Sequence, residues 1–246
     1  MNLKCSYIVF ITFSLFISDA LASERNIQIA APYITSLIES DHSGIYQKIL
    51  NEALESVPVT TEQHFFPYKR ALHAFKNSKV DCIYSFTQVL EKELGKNQVI
   101  SSFPLGAFGY YMFTIKGSSP LTSPDQLLGL NVGAVIGHDS YYKHKLNKHT
   151  KLQMVGSDEQ NIKMLAHKRL DAMIGALPDL TPYVDQLSYS PAHPLVKSYD
   201  RVTCHNTPYN QAFIDALSTS LRALKANGSY KKIAKELYLE FDDSTQ

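Results

Sequence analysis

The chain has 246 residues, of which 44% are hydrophobic and 19% charged, and its formal net charge is +1. This length accommodates one large domain or two small domains with a buried core. The near-neutral charge gives no indication of a nucleic-acid partner or an anionic membrane surface, because both require a strongly basic protein.

The first 22 residues have the pattern of a secretory signal peptide. Lys4 supplies a positive charge, residues 7–17 form a short apolar run, and Ala20 and Ala22 form an A-x-A cleavage site. We predict cleavage after Ala22 and a soluble mature protein in the periplasm; the alternatives are an uncleaved anchor or a buried helix. Cys5 precedes the apolar run, where a lipoprotein cysteine is not found.

From Asn26 onward the chain alternates predicted strands and helices. A first β-α-β-α-β run reads NIQIAAPY, GIYQKILNEALE, VPVTTEQHFF, YKRALHAFKNS and VDCIYSF. A longer strand, FGYYMFTIKG, precedes a second run that reads NVGAVIG, DSYYKHKLNKH, LQMVGS, DEQNIKMLAHK and LDAMIGAL. Such alternation predicts an α/β fold in which helices cover mainly parallel sheets.

Both runs close with the same helix-to-strand pattern, in which a basic residue, an aliphatic residue and an aspartate precede a short apolar strand. Asp81 and Asp171 occupy the equivalent positions, and we interpret both as turn or capping residues. Ligands of open α/β sheets bind beyond the carboxyl ends of the strands. The residues at these ends, 84–87 and 175–179, are therefore candidates for a binding crevice.

Two cysteines, Cys82 and Cys204, remain after the predicted cleavage. Both lie in short strand-like segments, VDCIYSF and DRVTCHN, which are compatible with neighbouring strands of one sheet. An exported protein meets an oxidising compartment, which favours a disulfide. The alternative is two separate buried thiols that act as small hydrophobic residues.

Further candidates lie near other predicted strand ends. The segment GHDSYY follows a strand and opens a helix, so its backbone N–H groups are placed to hold an anionic or carbonyl group, with Ser140 as a side-chain donor beside His138 and Asp139. Aromatic rings near strand ends suit a flat or partly apolar ligand; the alternative for each ring is a place in the core. They are Tyr33, Phe66, Tyr68, Tyr84, Phe86 and Tyr110.

From about Asn26 to Tyr238 the chain resembles the periplasmic solute-binding proteins of ABC importers, in the group linked to polar amino acids. The matching pieces are KVDCIYSFTQ, SSFPL, LTSPDQLLGLNVGAVIGHDS, KRLDAMIG and the closing segment FIDALSTSLRALKANGSYKKIAKEL. The resemblance implies a type II periplasmic binding protein fold with two lobes joined by a two-strand hinge. Lobe one then takes residues 23–106 and 200–246, lobe two takes residues 107–199, and closure traps a ligand in the cleft between them.

The resemblance also assigns ligand-binding positions, among them Thr87. Ser85 and Phe86, directly before it, are candidates because they follow a strand end. Lys92 stands where the family has an arginine that grips a ligand carboxylate, and lysine lacks the planar fork needed for bidentate binding. Ala176 stands where amino-acid binders have an aspartate for the ligand ammonium group, which leaves Asp179 or Asp139 as substitutes. We therefore expect common polar amino acids to bind poorly, and an acid or a modified or peptide-like compound to be preferred.

These patterns predict an extracytoplasmic solute-binding protein, a monomer that delivers a small polar solute to the membrane permease of an ABC importer. One alternative is a periplasmic module that reports a ligand to a membrane receptor, since both uses require only binding and closure. A dehydratase-like enzyme on the same fold is a further alternative, with His138 and Asp139 as its acid–base pair. We expect no enzyme activity, no metal and no other cofactor, because no catalytic motif or metal-ligand spacing occurs.

Overall fold

The computed structural model describes residues 26–242, so the predicted signal peptide lies outside the described residues. Within this range no helix has the length and apolar character needed to cross a bilayer. The strands are β1 (Ile27–Pro32), β2 (Thr61–Phe66), β3 (Cys82–Tyr84), β4 (Val99–Ser101), β5 (Gly106–Ile115), β6 (Val132–Val135), β7 (Leu152–Val155), β8 (Ala172–Leu177), β9 (Leu187–Ser188), β10 (Val196–Asp200) and β11 (Val202–His205). The α-helices are α1 (Ile45–Leu54), α2 (Tyr68–Lys76), α3 (Thr87–Leu94), α4 (Asp139–Tyr142), α5 (Asp158–Ala166), α6 (Pro208–Ala226) and α7 (Ser229–Ala234).

The strands form two mixed sheets, which confirms the predicted two-lobed α/β class. The first sheet has the order β2-β1-β3-β11-β4, and the second has the order β10-β5-β8-β6-β7 with β9 paired to β5. The parallel pairs, β2–β1, β1–β3, β8–β6 and β6–β7, come from the two βαβ runs. The antiparallel pairs come from β4, β5, β9, β10 and β11. Of these strands, β4, β5, β10 and β11 adjoin the two crossings between the sheets, and β9 pairs with the far end of β5.

The same aspartate contact anchors both parallel runs. Asp81 Oδ2 accepts a hydrogen bond of 3.0 Å from the backbone N–H of Gln28 in β1. Asp171 Oδ2 accepts one of 2.8 Å from the backbone N–H of Asn131, directly before β6. Each aspartate therefore ties the turn before a strand to the start of the neighbouring strand. This agrees with their interpretation as turn residues, far from the carboxyl ends.

The chain crosses between the sheets twice, and the two crossings contact each other. The backbone N–H of Ser102 donates to the carbonyl of Val202 at 2.8 Å, and that of Leu105 donates to the carbonyl of Asp200 at 2.7 Å. The family resemblance implies hinge segments at residues 106–110 and 197–202. These segments adjoin the crossings, and β5 pairs with β10 along residues 106–110 and 196–200. The lobe boundaries at residues 106 and 200 stay a prediction.

Two further features fix the first sheet. Cys82 and Cys204 face each other on β3 and β11 and are joined by a disulfide, with Cα atoms 3.9 Å apart. Helix α6 begins with Thr207 as its N-cap, which accepts from the N–H of Asn210, and with proline at the first helical position. Its buried stripe packs with α1 and α7 over the sheet and comprises Phe213, Ile214, Leu217, Leu221 and Leu224.

One predicted helix is shorter than its sequence pattern suggests. The segment DSYYKHKLNKH forms only α4 and a single 3-10 turn, and Leu146 is already extended. The side chain of Asn147 accepts a hydrogen bond of 3.1 Å from the N–H of His149, which forms a local turn that competes with the helix.

Candidate functional site

The carboxyl ends of the parallel strands from both sheets meet at one cavity of about 420 Å³. Residues that follow β1 and β2 form one side, here called the aromatic wall: Tyr33, Ile34, Thr35, Phe65, Pro67, Tyr68 and Lys69. Residues at or after the ends of β6, β7 and β8 form the other side, here called the acidic wall: Val135, Ile136, His138, Gly156, Ser157, Asp158 and Asp179. Both walls thus occupy the edge at which α/β sheets bind ligands.

The aromatic wall owes its exposed rings to the ends of β1 and β2. Tyr33 directly follows Pro32, the last residue of β1, and its side chain remains 41% exposed. The ring of Tyr33 contacts that of Phe65 edge to face, with centroids 6.1 Å apart. Pro67 ends the second strand and caps α2, so Tyr68 enters the cavity from the first residue of that helix. The wall therefore offers aromatic faces and edges to a ligand.

The two walls touch at Tyr68 and His138. Their ring centroids are 4.3 Å apart, and the ring of Phe86 lies 4.6 Å from Tyr68 on the other side. The approach requires glycine at position 137, which has φ +95° and whose added Cβ would lie 3.1 Å from the Tyr68 ring. Burial lowers the pKa of His138 to about 4, so this ring is neutral at physiological pH.

Two buried carboxyl groups distinguish the acidic wall. Asp158 opens α5, is 8% exposed, and its Oδ1 atom is buried without a hydrogen-bond partner. Burial, and secondarily the charge of Glu159, raise the pKa of Asp158 to about 7. Asp179 is 6% exposed, and burial followed by the charges of Asp158 and Asp200 raises its pKa well above the usual range. No ion pair to either carboxyl group is formed within residues 26–242.

A smaller space of about 10 Å³ adjoins the cavity and reaches toward the crossings. Ser85, Tyr110, Ala176 and Asp200 are among its lining residues. Asp200 accepts hydrogen bonds from the hydroxyl groups of Ser85 and of Tyr46, the latter at 2.9 Å. Burial raises the pKa of Asp200 to about 6, and these two hydrogen bonds oppose the shift. Asp200 is thus satisfied by the protein itself, unlike Asp158.

Tyr141 of α4 joins the second sheet to the end of β3. Its hydroxyl oxygen accepts a hydrogen bond of 2.8 Å from the backbone N–H of Phe86 and lies 3.0 Å from Ser85 Oγ. Ser85 and Phe86 both have positive φ, +67° and +60°, a conformation that non-glycine residues seldom adopt. This backbone turn places the Phe86 ring behind Tyr68 and directs its N–H at the opposite lobe.

The predicted site residues divide into those at the cleft and those away from it. Tyr33, Tyr68, His138 and Asp179 line the cavity, and Ser85, Tyr110 and Ala176 line the small adjoining space. Phe86 packs against Tyr68 but lines neither the cavity nor the small adjoining space. Of the two proposed substitutes for the missing aspartate, Asp179 reaches the cavity and Asp139 does not.

Four predicted residues lie away from the cavity. Lys92 is exposed in the last turn of α3, because the helix carries it beyond the strand end. Thr87 is buried against Thr203, with the two hydroxyl oxygens 2.6 Å apart. Ser140 donates its hydroxyl to the carbonyl of Gly137 at 2.7 Å, and Asp139 lines a separate surface depression beside Asn147. None of these four residues therefore lines the cavity.

Asp158 and Phe65 line the cavity although the sequence did not single them out as ligand contacts. Asp158 is the first residue of the predicted helix DEQNIKMLAHK. Phe65 lines the cavity in place of the predicted Phe66, because strand side chains alternate between faces. Their position could have identified them as ligand contacts, since both lie at the carboxyl end of a parallel strand. Within residues 26–242 no group of three or more His, Cys, Asp or Glu side chains is arranged to hold a metal ion.

No protein-family model matches the sequence, and no curated protein matches it. Several solved structures are similar to this chain. The GluR0 ligand-binding core from Nostoc punctiforme in complex with L-glutamate is 19% identical, with a TM-score of 0.68 over 86% of this chain and 99% of that one. The arginine-, lysine-, histidine-binding protein ArtJ from Geobacillus stearothermophilus is 13% identical, with a TM-score of 0.68 over 89% and 97%.

A third similar structure is the ancestral amino acid-binding protein AncCDT-1, a precursor of cyclohexadienyl dehydratase. It is 14% identical, with a TM-score of 0.67 over 87% of this chain and 95% of that one. At these identities the shared feature is the fold. The type II periplasmic binding protein fold implied by the sequence resemblance is thereby confirmed.

Proposed function

We propose that this chain is an extracytoplasmic solute-binding protein that traps a small solute between the aromatic and acidic walls and delivers it to the permease of an ABC importer. The single observation that carries the proposal is the cavity of about 420 Å³ at the joint carboxyl edge of both sheets. A cavity of this size suits a small organic solute. The proposal includes export through the predicted signal peptide and a monomeric mature protein.

Closure about the two crossings provides the trapping step. The segments at residues 102–105 and 200–202 connect the sheets and bond to each other, so they form a compact pivot. On the cleft side, the Tyr141 hydroxyl bonds Phe86 and the His138 ring meets Tyr68. A solute that touches both walls adds contacts found only in the closed arrangement, and it therefore shifts the population toward closure.

A receptor-reporting module would use the same closure, so the importer role rests on the resemblance and is tested separately. Deletion of the gene is expected to abolish uptake of the bound solute while leaving other transport unchanged. Unchanged uptake together with a lost cellular response would favour the reporting role. The dehydratase alternative needs His138 and Asp139 together in the cleft, and Asp139 lines a different surface.

Binding and closure are tested together on the purified mature protein. A thermal-shift screen with cationic, neutral and anionic solutes should identify a compound that stabilises the fold, by about 2.7 kcal/mol at a hundredfold excess over its dissociation constant. Small-angle scattering should then show a smaller radius of gyration with that compound. A panel in which no solute of any charge gives stabilisation or compaction would contradict the proposal.

Export is tested on protein made in a host with a periplasm. N-terminal sequencing of the periplasmic form is expected to begin at Ser23, directly after the predicted cleavage site. A protein that retains Met1 or that fractionates with membranes would show that the predicted signal peptide is not removed.

A further inference from the structure

The charge balance of the cavity is one-sided. Asp158 and Asp179 line it, and each side chain is more than nine-tenths buried. The basic side chains among its described lining residues are Lys69, which is exposed, and His138, which is buried and neutral. Neither forms an ion pair with the two aspartates. A buried carboxylate without a countercharge is unfavourable, so a ligand that brings the countercharge binds with an advantage.

We propose that the ligand is an organic cation, an amine or guanidinium compound with a ring or apolar body and no requirement for a free carboxylate, whose charged end seats against Asp158 and Asp179. The inference rests on the proposed solute-binding function and names its ligand class. The apolar body then lies against Tyr33, Phe65 and Tyr68 of the aromatic wall. Aromatic faces attract cations as well as apolar groups, so both walls favour the same compound.

The unpartnered oxygen of Asp158 supports this assignment independently of the charge count. Buried polar atoms in proteins are nearly always hydrogen-bonded, and Asp158 Oδ1 has no partner among the described residues. Asp200, the third buried carboxyl group nearby, is satisfied by Ser85 and Tyr46. Asp158 therefore has the unused acceptor capacity that the N–H groups of a cation require.

The groups that favoured an acidic ligand in the sequence either lie away from the cavity or are already hydrogen-bonded within the protein. Lys92 is exposed on α3 and does not line it. The N–H groups of His138 and Ser140 donate to the carbonyls of Val135 and Gly137, at 3.1 and 3.4 Å. Arg201 and Arg222 line a separate groove beside α6, and no arginine is among the cavity's described lining residues. The site thus lacks a fork for gripping a carboxylate, and a cation replaces the acid that the sequence favoured.

The inference is tested with three probes that share one aromatic body and differ in charge. They are phenethylamine, 2-phenylethanol and 3-phenylpropionate, which are cationic, neutral and anionic near neutral pH. Calorimetry with the mature protein is expected to show binding of the amine at least tenfold tighter than that of the alcohol or the acid. Putrescine and arginine are added to the series as cations with other bodies.

Two aspartate variants test which side chains bind the charged end of the ligand. Asp158→Asn keeps the shape and removes the charge, and we expect it to weaken binding of the tightest cation at least tenfold. Asp179→Asn should do the same, and it provides a second reading if the first variant folds poorly. Asp185→Asn is the matched control, because Asp185 is exposed and does not line the cavity, and it should leave amine affinity within twofold of the wild type.

The outcomes separate the two proposals. If an acid or a neutral solute binds as tightly as the best cation, or if binding of the cation survives both aspartate substitutions, the ligand class is wrong while solute binding stands. If no cationic, neutral or anionic compound stabilises or compacts the protein, the solute-binding function itself fails. Circular dichroism and a cooperative thermal transition for each variant establish that lost binding is not lost folding.

Discussion

The aromatic wall and the acidic wall follow equivalent strands of two similar sheets, yet they present different chemistry to the same cavity. The aromatic wall carries rings that are partly exposed, such as Tyr33 at 41%. The acidic wall carries Asp158 and Asp179, both almost fully buried. The fold therefore determines where a ligand sits, while the residues that happen to follow each strand determine which ligand it is.

The difference also gives the walls different energetic demands. Exposed rings are tolerated in water, so the aromatic wall loses little when the cleft is empty. Buried carboxyl groups are destabilised when ionised, so the acidic wall is the costly half of the empty site. A cation that enters the cleft relieves this cost and adds ring contacts at the same time. The two walls thus act on different parts of one ligand.

The largest change in stability is expected from loss of the disulfide between β3 and β11. Among the described residues, the first sheet has this bond and the second sheet has no counterpart. The bond closes a loop of 122 residues, and replacement of both cysteines by serine is expected to lower the free energy of unfolding by about 2–5 kcal/mol. Urea unfolding of the double variant, with the reduced wild type as control, measures this. Titration that finds two free thiols in the unreduced, denatured protein would contradict the pairing.

The next effect is a pH dependence that arises in the acidic wall. The pKa of Asp158 rises from 3.8 to about 7 on folding, so between these values the folded protein holds more protons than the unfolded chain. The contribution of Asp158 to the free energy of unfolding should therefore decrease as pH rises through this window, by about 1.4 kcal/mol per pH unit at most. Asp179, Glu159, Tyr142 and Tyr183 are the titratable groups that interact with Asp158.

Asp158→Asn isolates this contribution. The variant should be more stable than the wild type above about pH 7 by an amount up to a few kcal/mol, and the gain should shrink toward about pH 4 because both side chains are then neutral. Urea unfolding across this range, without added solute, measures the difference. A gain that is the same at both ends of the range would show that packing, and not charge, is responsible.

A smaller effect is expected from a variant that removes a contact between the lobes. Tyr141→Phe removes the hydroxyl oxygen that accepts from Phe86 N–H at 2.8 Å and lies 3.0 Å from Ser85 Oγ. We expect a cost of about 1–3 kcal/mol, because the buried N–H is left without this partner. Part of this cost should fall on the closed arrangement. Scattering of the free variant should accordingly give a larger radius of gyration than the wild type, and an unchanged radius would exclude Tyr141 as a closing contact.

The neighbouring residue provides a control of the opposite sign. The hydroxyl group of Tyr142 is buried without a hydrogen-bond partner, and its pKa is raised by burial. Tyr142→Phe removes that unsatisfied group and keeps the ring, so we expect stability to stay equal or rise by up to about 1 kcal/mol. Thermal unfolding of the two phenylalanine variants side by side shows whether the hydroxyl of Tyr141, and not any tyrosine of α4, links the lobes.

The smallest expected effect is that of Lys69→Ala on the free protein. Lys69 is exposed and forms no ion pair among the described residues, so its removal should change the free energy of unfolding by less than about 0.5 kcal/mol. Urea unfolding near neutral pH measures this. A larger loss would reveal a long-range interaction between Lys69 and the acidic wall, and it would weaken the contrast between the two walls.

The α/β architecture could be predicted from the sequence. Apolar periodicity, strand-to-helix alternation and the repeated aspartate turn all depend on residues close together in the chain. These local patterns predicted β1 to β3 and β6 to β8 as parallel strands and β5 as a longer strand between the two runs. The facing cysteines were accessible for the same reason, since each lies in a recognisable strand. The strand ends also pointed to Tyr33, Tyr68, His138 and Asp179, which do line the cavity.

Which side chains at those strand ends line one cavity, and which are buried, depends on tertiary packing and could not be predicted from local sequence patterns. Asp158 and Lys92 are both helical residues near strand ends, and the sequence analysis assigned a ligand role to Lys92 and none to Asp158. Packing of α5 against β6 and β8 buries Asp158 at the acidic wall, whereas α3 carries Lys92 into solvent. Burial depends on residues far apart in the chain, and it gives Asp158 both its raised pKa and a carboxyl oxygen without a hydrogen-bond partner.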